Sequence, residues 1–279
     1  MPRLLLRTAS LILLTAGIGA CYTVRNEDMF SVPRAPLSDS QIAALGGGTV
    51  NAERLVVGDE PTLDAYLARV PEARGTVIFL GGNGNEASSV LPFLLGHLAP
   101  LHLDLVVMNY WATGEPRSTV KSTRIAVSHL IQKTLKISPG PVCLIGHSFG
   151  SWFALDAATR QDLSNIVLAA IGTTPTDLTI AQAGIWRPFL WHSSEDESLQ
   201  PLDGVKMARQ AVTPVFVVTS SEDHDIPPSL SLEVYQSLPP RIDKHLLELH
   251  GVSHSGYFKS TEFWTAVAPV LCRVTQAQS

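Results

Sequence analysis

Three residue types at three places in this chain can together attack an acyl group. Ser148 lies in Gly146-His147-Ser148-Phe149-Gly150, a G-x-S-x-G pattern. Where such a pattern joins a strand to a helix, the serine sits on a strained bend that only small neighbours permit. Its hydroxyl is then thrown clear of the sheet edge. A serine hydroxyl is a weak nucleophile alone. It needs a base for its proton, a carboxylate to orient that base, and donors for the developing oxyanion. His254, in Gly251-Val252-Ser253-His254-Ser255-Gly256, follows the last expected strand and is the best placed of the nine histidines. His250 reads as strand, His224 adjoins an acidic turn, and the His147 side chain is expected to point away from the serine. The carboxylate is Asp223 or Asp225, both in Ser221-Glu222-Asp223-His224-Asp225-Ile226-Pro227. One oxyanion donor is the backbone N–H of Phe149, the residue after the nucleophile.

The elements that must hold these groups are legible from periodicity. Residues 142–145 are a short apolar run, as in a strand buried on both faces, and residues 151–160 are helix-compatible. Further strands are expected at 51–57, 62–70, 75–80, 103–109, 163–171, 214–220 and 244–250. In the second of these, Leu63, Ala65 and Leu67 alternate with Asp64, Tyr66 and Ala68, which predicts a half-buried antiparallel strand. Helices are expected at 87–98, 119–135, 228–238 and 262–274. This alternation predicts an α/β domain with a mainly parallel central sheet covered by helices on both faces. Residues 172–213 show no clean period and carry Trp186, Phe189 and Trp191 before an acidic run. An irregular insertion of that length is usually functional. It is expected to cap the pocket, with those three aromatics as apolar substrate contacts.

The 279 residues suit one α/β domain or a tight pair, and 45% apolar composition supports a large core. A net charge of −5 without a basic cluster argues against a nucleic-acid partner. Arg3 and Arg7 open the chain, and residues 8–20 are uncharged but too short for a membrane span of about 20 residues. The stretch ends Ile18-Gly19-Ala20-Cys21, which resembles a bacterial lipoprotein signal cleaved before an acylated cysteine. A secretory signal cut near Ala20 is the alternative, and both export the protein. Tyr22 in place of Asp resembles lipoproteins sent on to the outer membrane. Residues 21–48, rich in Pro and Gly, read as a tether between a membrane anchor and the domain at 49–279. Cys143 and Cys272 are preferred as buried small hydrophobes, although the export compartment permits a disulfide.

In this order the pieces resemble the α/β-hydrolase fold over nearly the whole mature chain. Within it they look most like lipoprotein-type and BEM46-like serine hydrolases. Those proteins carry a His-Gly-Asn-Gly-Gly turn after the third strand, G-H-S-x-G at the bend, a D-x-x-V-P turn and a late G-x-x-H. The resemblance selects Asp223, four residues before Pro227, and matches Asn83 to the second oxyanion donor. It implies a serine hydrolase without cofactor or metal, most simply an esterase forming an acyl-enzyme on a small-molecule or lipid ester. Amidase, peptidase or thioesterase chemistry would run on the same triad. Two departures stand out: Gly81 replaces the histidine of the turn, and Asn109-Tyr110-Trp111-Ala112 replaces an Asp-Tyr-Arg-Gly run.

Other classes have weaker support. Gly82-x-Gly84-x-x-Ala87 fits a dinucleotide fingerprint, but Asn109 stands where a ribose-binding acid is expected. His250 and His254 have metal-pair spacing, yet Gly251 lies between them and no Glu follows the first. A binding protein on a hydrolase scaffold is opposed by the presence of nucleophile, acid and base candidates in the expected order.

Overall fold

A computed structural model describes residues 23–30, 35–47, 50–59, 61–112, 117–160, 162–183 and 194–273. The strands are β1 (Thr23–Val24), β2 (Asn51–Val57), β3 (Leu63–Arg69), β4 (Gly75–Leu80), β5 (Leu103–Ala112), β6 (Val142–His147), β7 (Ile166–Ala169), β8 (Ser194–Glu195), β9 (Val215–Ser220) and β10 (Lys244–Leu249). The helices are α1 (Asn26–Met29), α2 (Asp39–Leu45), α3 (Ala87–Leu98), α4 (Val120–Ile137), α5 (Phe149–Asp156), α6 (Pro175–Gln182), α7 (Gly204–Arg209), α8 (Pro228–Ser237) and α9 (Thr261–Val267).

Eight strands form one sheet in the order β10-β9-β7-β6-β4-β5-β3-β2. The pairs β2–β3 and β3–β5 are antiparallel and the rest are parallel. The central strands alternate between two cores. Ile78, Leu144, Leu168 and Val217 face one, shared with α4 and α5, whereas Val77, Ile145, Val167 and Val218 face the other, shared with α3 and α9. This is the doubly covered, mostly parallel sheet of an α/β-hydrolase fold. The chain reverses direction in the strand order at β4–β6, so β6 lies mid-sheet and delivers its C-terminal end to a crevice.

The expectation for β3 needs correction. All of Leu63 to Ala68 is buried, because β3 lies between β2 and β5 and is covered on both faces. Asp64 tolerates this by accepting a hydrogen bond from Arg54 Nε at 2.7 Å.

A free tether over 21–48 does not describe its visible parts. β1 pairs with β8. Asn26 donates to the Ser118 carbonyl at 3.0 Å and accepts from the Val120 N–H at 3.3 Å. Phe30 is buried with its ring edge-on to Phe149 at 5.1 Å, and Ile42 and Leu45 of α2 are buried in the α3 core. Apolar burial outweighs the Pro and Gly content here. Cys21 and residues 1–20 lie outside the described residues.

Cys143 and Cys272 are bridged, with Cα atoms 5.1 Å apart, so the preferred reading of two free thiols is overturned. Cys143 lies on β6 and Cys272 follows α9, and packing of α9 onto the sheet brings them together. The bridge closes 129 residues of chain, which restricts the unfolded ensemble substantially. Replacing both cysteines by alanine is expected to cost about 2–5 kcal/mol in urea denaturation. An unchanged midpoint would show that the bridge adds nothing to stability.

Candidate active site

The site grows from the end of β6. Ser148 has φ 53°, ψ −123°, outside the regions open to ordinary side chains. Such a conformation costs about 1–3 kcal/mol, and neighbouring contacts hold it. Ser148 N–H donates to the Ala169 carbonyl on β7 at 2.9 Å, and Ser151 N–H donates back to the Ser148 carbonyl at 2.9 Å. The flanking glycines are required by close approach. A Cβ at Gly146 would lie 2.7 Å from that of Ala154, and one at Gly150 would lie 2.0 Å from the Leu80 carbonyl oxygen. The strand–bend–helix therefore closes only with these residue types.

His254 Nε2 lies 2.9 Å from Ser148 Oγ. Its Nδ1 lies 2.9 Å and 3.1 Å from the two carboxylate oxygens of Asp223. Asp225 takes no such role: its side chain is exposed, and its backbone N–H donates to Asp223 Oδ1 at 3.0 Å. The Ile226 N–H donates to the same oxygen at 2.8 Å, and the Tyr257 hydroxyl donates to Oδ2 at 2.9 Å. Burial alone would push the Asp223 carboxyl up. The hydrogen bond and charge of His254, with the Ile226 and Tyr257 donors, outweigh burial and hold it below the usual carboxylate range. Burial, with the Asp223 charge, pushes the Tyr257 hydroxyl far up, so it stays a proton donor.

The two expected oxyanion donors lie on two segments. Phe149 occupies the first position of α5, where an N–H has no intrahelical acceptor. Asn83 is exposed in the turn after β4, and the preceding Gly82 abuts the nucleophile: a Cβ there would lie 3.2 Å from Ser148 Cβ. The turn is closed by Asn85 N–H donating to the Gly82 carbonyl at 3.1 Å. Gly81, one of the two departures, has a steric cause. A side chain there would start 2.9 Å from Asn85 Cβ and 3.1 Å from the Phe79 ring. In the other departure, Asn109 is buried with Oδ1 accepting the Ala87 N–H at 3.0 Å. It caps the first turn of α3 and so fixes the end of the turn that carries Asn83.

His147 does not point away from the site. It is buried with its ring centroid 4.9 Å from that of His254. His224 and His250, the other rivals, are exposed. Trp186, Phe189 and Trp191 lie outside the described residues. From the insertion, α6 reaches the acid loop, where Gln182 Nε2 donates to the Asp225 carbonyl at 2.7 Å. Tyr257, His147 and Asn109 escape a reading of residue types. Nothing in the local sequence of Tyr257 distinguishes it from a core residue, and His147 and Asn109 stood out only as a rival base and as a departure from the family run.

Burial, then the neighbouring His254, lowers the His147 imidazole from 6.5 to about 4. Between those values the unfolded chain binds a proton that the native state does not. The contribution is therefore complete above the unfolded value and is lost as pH falls toward 4. The loss approaches about 3 kcal/mol. Urea midpoints from pH 7 to pH 4.5 are expected to fall more steeply for the wild type than for His147→Gln. Parallel slopes would contradict this.

A sequence model of the prolyl oligopeptidase family (Peptidase_S9) matches residues 117–262. Among solved structures, an esterase from Pyrococcus furiosus superposes with a TM-score of 0.66 at 13% identity, over 87% of this chain and 96% of that one. Est1E from Butyrivibrio proteoclasticus gives 0.59 at 14% identity, over 77% and 96%. The acylaminoacyl peptidase of Pyrococcus horikoshii gives 0.61 at 13% identity over 82% of this chain, which spans only 43% of the peptidase. At such identities the superpositions speak for the fold. The family match covers just over half the chain and takes in Ser148, Asp223 and His254. This chain, an α/β-hydrolase superfamily serine hydrolase, belongs to the prolyl oligopeptidase family.

Proposed function

We propose that the protein is a serine esterase that cleaves acyl esters through an acyl-enzyme on Ser148. His254 takes the serine proton as Oγ attacks the carbonyl, then gives it to the departing alcohol. Asp223 keeps Nδ1 of His254 protonated and stabilises the imidazolium. The N–H groups of Phe149 and Asn83 receive the oxyanion. Water, activated by the same imidazole, releases the acid. The observation that carries this reading is the 2.9 Å approach of His254 Nε2 to a serine held on a strained bend.

Ester over amide is supported by proportion. The chain accounts for 96% of each of two esterases but 43% of the acylaminoacyl peptidase. Family membership makes a peptidase on the same triad the second reading. A panel of p-nitrophenyl esters, a thioester and an aminoacyl p-nitroanilide decides between them. The esters are expected to have the highest kcat/KM, and a preference for the anilide would replace the esterase reading. Trp186, Phe189 and Trp191 are assigned to acyl-chain contact. Replacing all three by alanine should then flatten the preference across ester chain lengths, and an unchanged profile removes them from that role.

The same reading puts the mature protein in the cell envelope. Residues 1–20 act as a lipoprotein signal, and Cys21 carries the lipid that holds the domain, most simply at the periplasmic face of the outer membrane. The Cys143–Cys272 bridge supports export, because such bonds persist in oxidising compartments. Membrane-extracted protein should carry a diacylglyceryl mass on Cys21. An unmodified, uncleaved N-terminus would overturn the assignment.

A further inference from the structure

His147 immediately precedes the nucleophile and makes two contacts that the triad alone does not require. Its Nε2 lies 3.0 Å from the backbone carbonyl oxygen of His254. A carbonyl only accepts, so Nε2 carries the proton and Nδ1 is the bare acceptor of a neutral ring. The ring is packed by His254, Tyr257 and Phe258, with centroids 4.9, 5.8 and 5.2 Å away. His254 and Phe258 thus both pack on a side chain at the end of β6, and the backbone of His254 is bonded from the residue just before Ser148.

The other edge of the ring faces the oxyanion turn. His147 Nδ1 is buried and has no hydrogen-bond partner among the described residues. A Cβ at Gly82 would lie 3.4 Å from it, 3.2 Å from Ser148 Cβ and 3.1 Å from Asn85 Oδ1. One imidazole is therefore wedged between the base loop and the turn that carries Asn83. The two loops follow different strands, β4 and β10. The gap between them sets whether the imidazole and the oxyanion donors meet the same tetrahedral carbon.

We infer that His147 is a positioning residue: through its Nε2–H bond to the His254 carbonyl and its packing on Gly82, it holds the base and the oxyanion turn in register with Ser148. This rests on the triad reading above. Loss of such a tether shifts the base without removing it, and a displacement of about 1 Å can cost about 100-fold in rate. Substrate binding in the ground state does not use the tether, so KM should be spared.

His147→Phe keeps the ring and removes both nitrogens. His147→Gln places an amide N–H near the position of Nε2. With the best p-nitrophenyl ester, His147→Phe is expected to lower kcat about 10- to 100-fold with KM nearly unchanged. His147→Gln should recover most of that loss at a similar melting temperature. The rate of Ser148 labelling by a fluorophosphonate should fall and recover in parallel. A folded His147→Phe with wild-type kcat overturns the inference, as does a folded His147→Gln as slow as His147→Phe. If His147→Phe does not fold, His147→Asn takes its place: its shorter amide cannot reach the carbonyl, and full kcat in it overturns the inference equally. Labelling of the wild type that vanishes in Ser148→Ala keeps the two questions apart. Without it the triad reading fails; with it, an unaffected His147→Phe fails only the tether.

Discussion

Ser148→Ala is expected to lower kcat/KM on an activated ester by about 10⁴- to 10⁶-fold, and His254→Ala by a similar factor. Neither substitution should disturb the fold. Among the described residues Ser148 Oγ hydrogen-bonds to His254 Nε2 at 2.9 Å, and the bend is held by backbone bonds to Ala169 and from Ser151. The His254 ring is partly exposed, so its removal leaves no large enclosed cavity. Nucleophile and base act on one proton, so the double variant should be no slower than either single one. Whatever rate remains would come from the oxyanion donors and binding. Steady-state kinetics with circular dichroism on the same samples checks this. A folded Ser148→Ala that retains more than about a tenth of the activity would remove that hydroxyl from the mechanism.

The parts of this site that sequence reveals are those fixed by steric necessity. Gly146 and Gly150 are forced by atoms 2.7 and 2.0 Å from where a side chain would begin, and that compulsion is what makes G-x-S-x-G readable. The apolar runs of β4, β6 and β9 are readable because both faces of each strand are covered, leaving no polar alternation to interpret. Asp223 over Asp225 was not settled by local pattern, since both stand in one acidic turn. The family resemblance selects Asp223, and the fold turns it inward to four donors and leaves Asp225 exposed. His147 was misplaced for the opposite reason. Alternation along β6 sends its side chain away from the next residue, but the loop that follows β10 packs over the end of β6 and meets it there. The Pro and Gly content of the N-terminal segment suggests a linker, whereas its visible parts dock through β1, Asn26, Phe30, Ile42 and Leu45. The disulfide joins residues 129 apart, and no local signal reports a contact of that range.

Asp223→Asn is expected to lower kcat by about 10³- to 10⁴-fold while the geometry is kept. The cause is a tautomer. The carboxylate only accepts, so it holds the proton on Nδ1 of His254 and leaves Nε2 bare toward Ser148. Three further donors, the N–H groups of Asp225 and Ile226 and the Tyr257 hydroxyl, already fill both oxygens. The asparagine carbonyl will turn toward the two backbone donors, which cannot move. Its NH₂ then faces His254, and Nδ1 must become the acceptor. The proton shifts to Nε2, and the ring presents a donor to a hydroxyl that needs a base. The same NH₂ also confronts the Tyr257 hydroxyl, which must give up its donated bond. The pH dependence of the wild type follows from the same carboxylate. Its folded value is held below the ordinary one, so its contribution to stability is complete above the unfolded value and fades only as pH falls through the lower folded one. Asp223→Asn should remove that acid-side dependence along with the rate. Asp225→Asn is the matched control: an exposed carboxylate two residues away, whose loss should leave kcat within about threefold. Equal losses in both variants would mean that the acidic turn acts through its net charge, and the orienting role of Asp223 would fall.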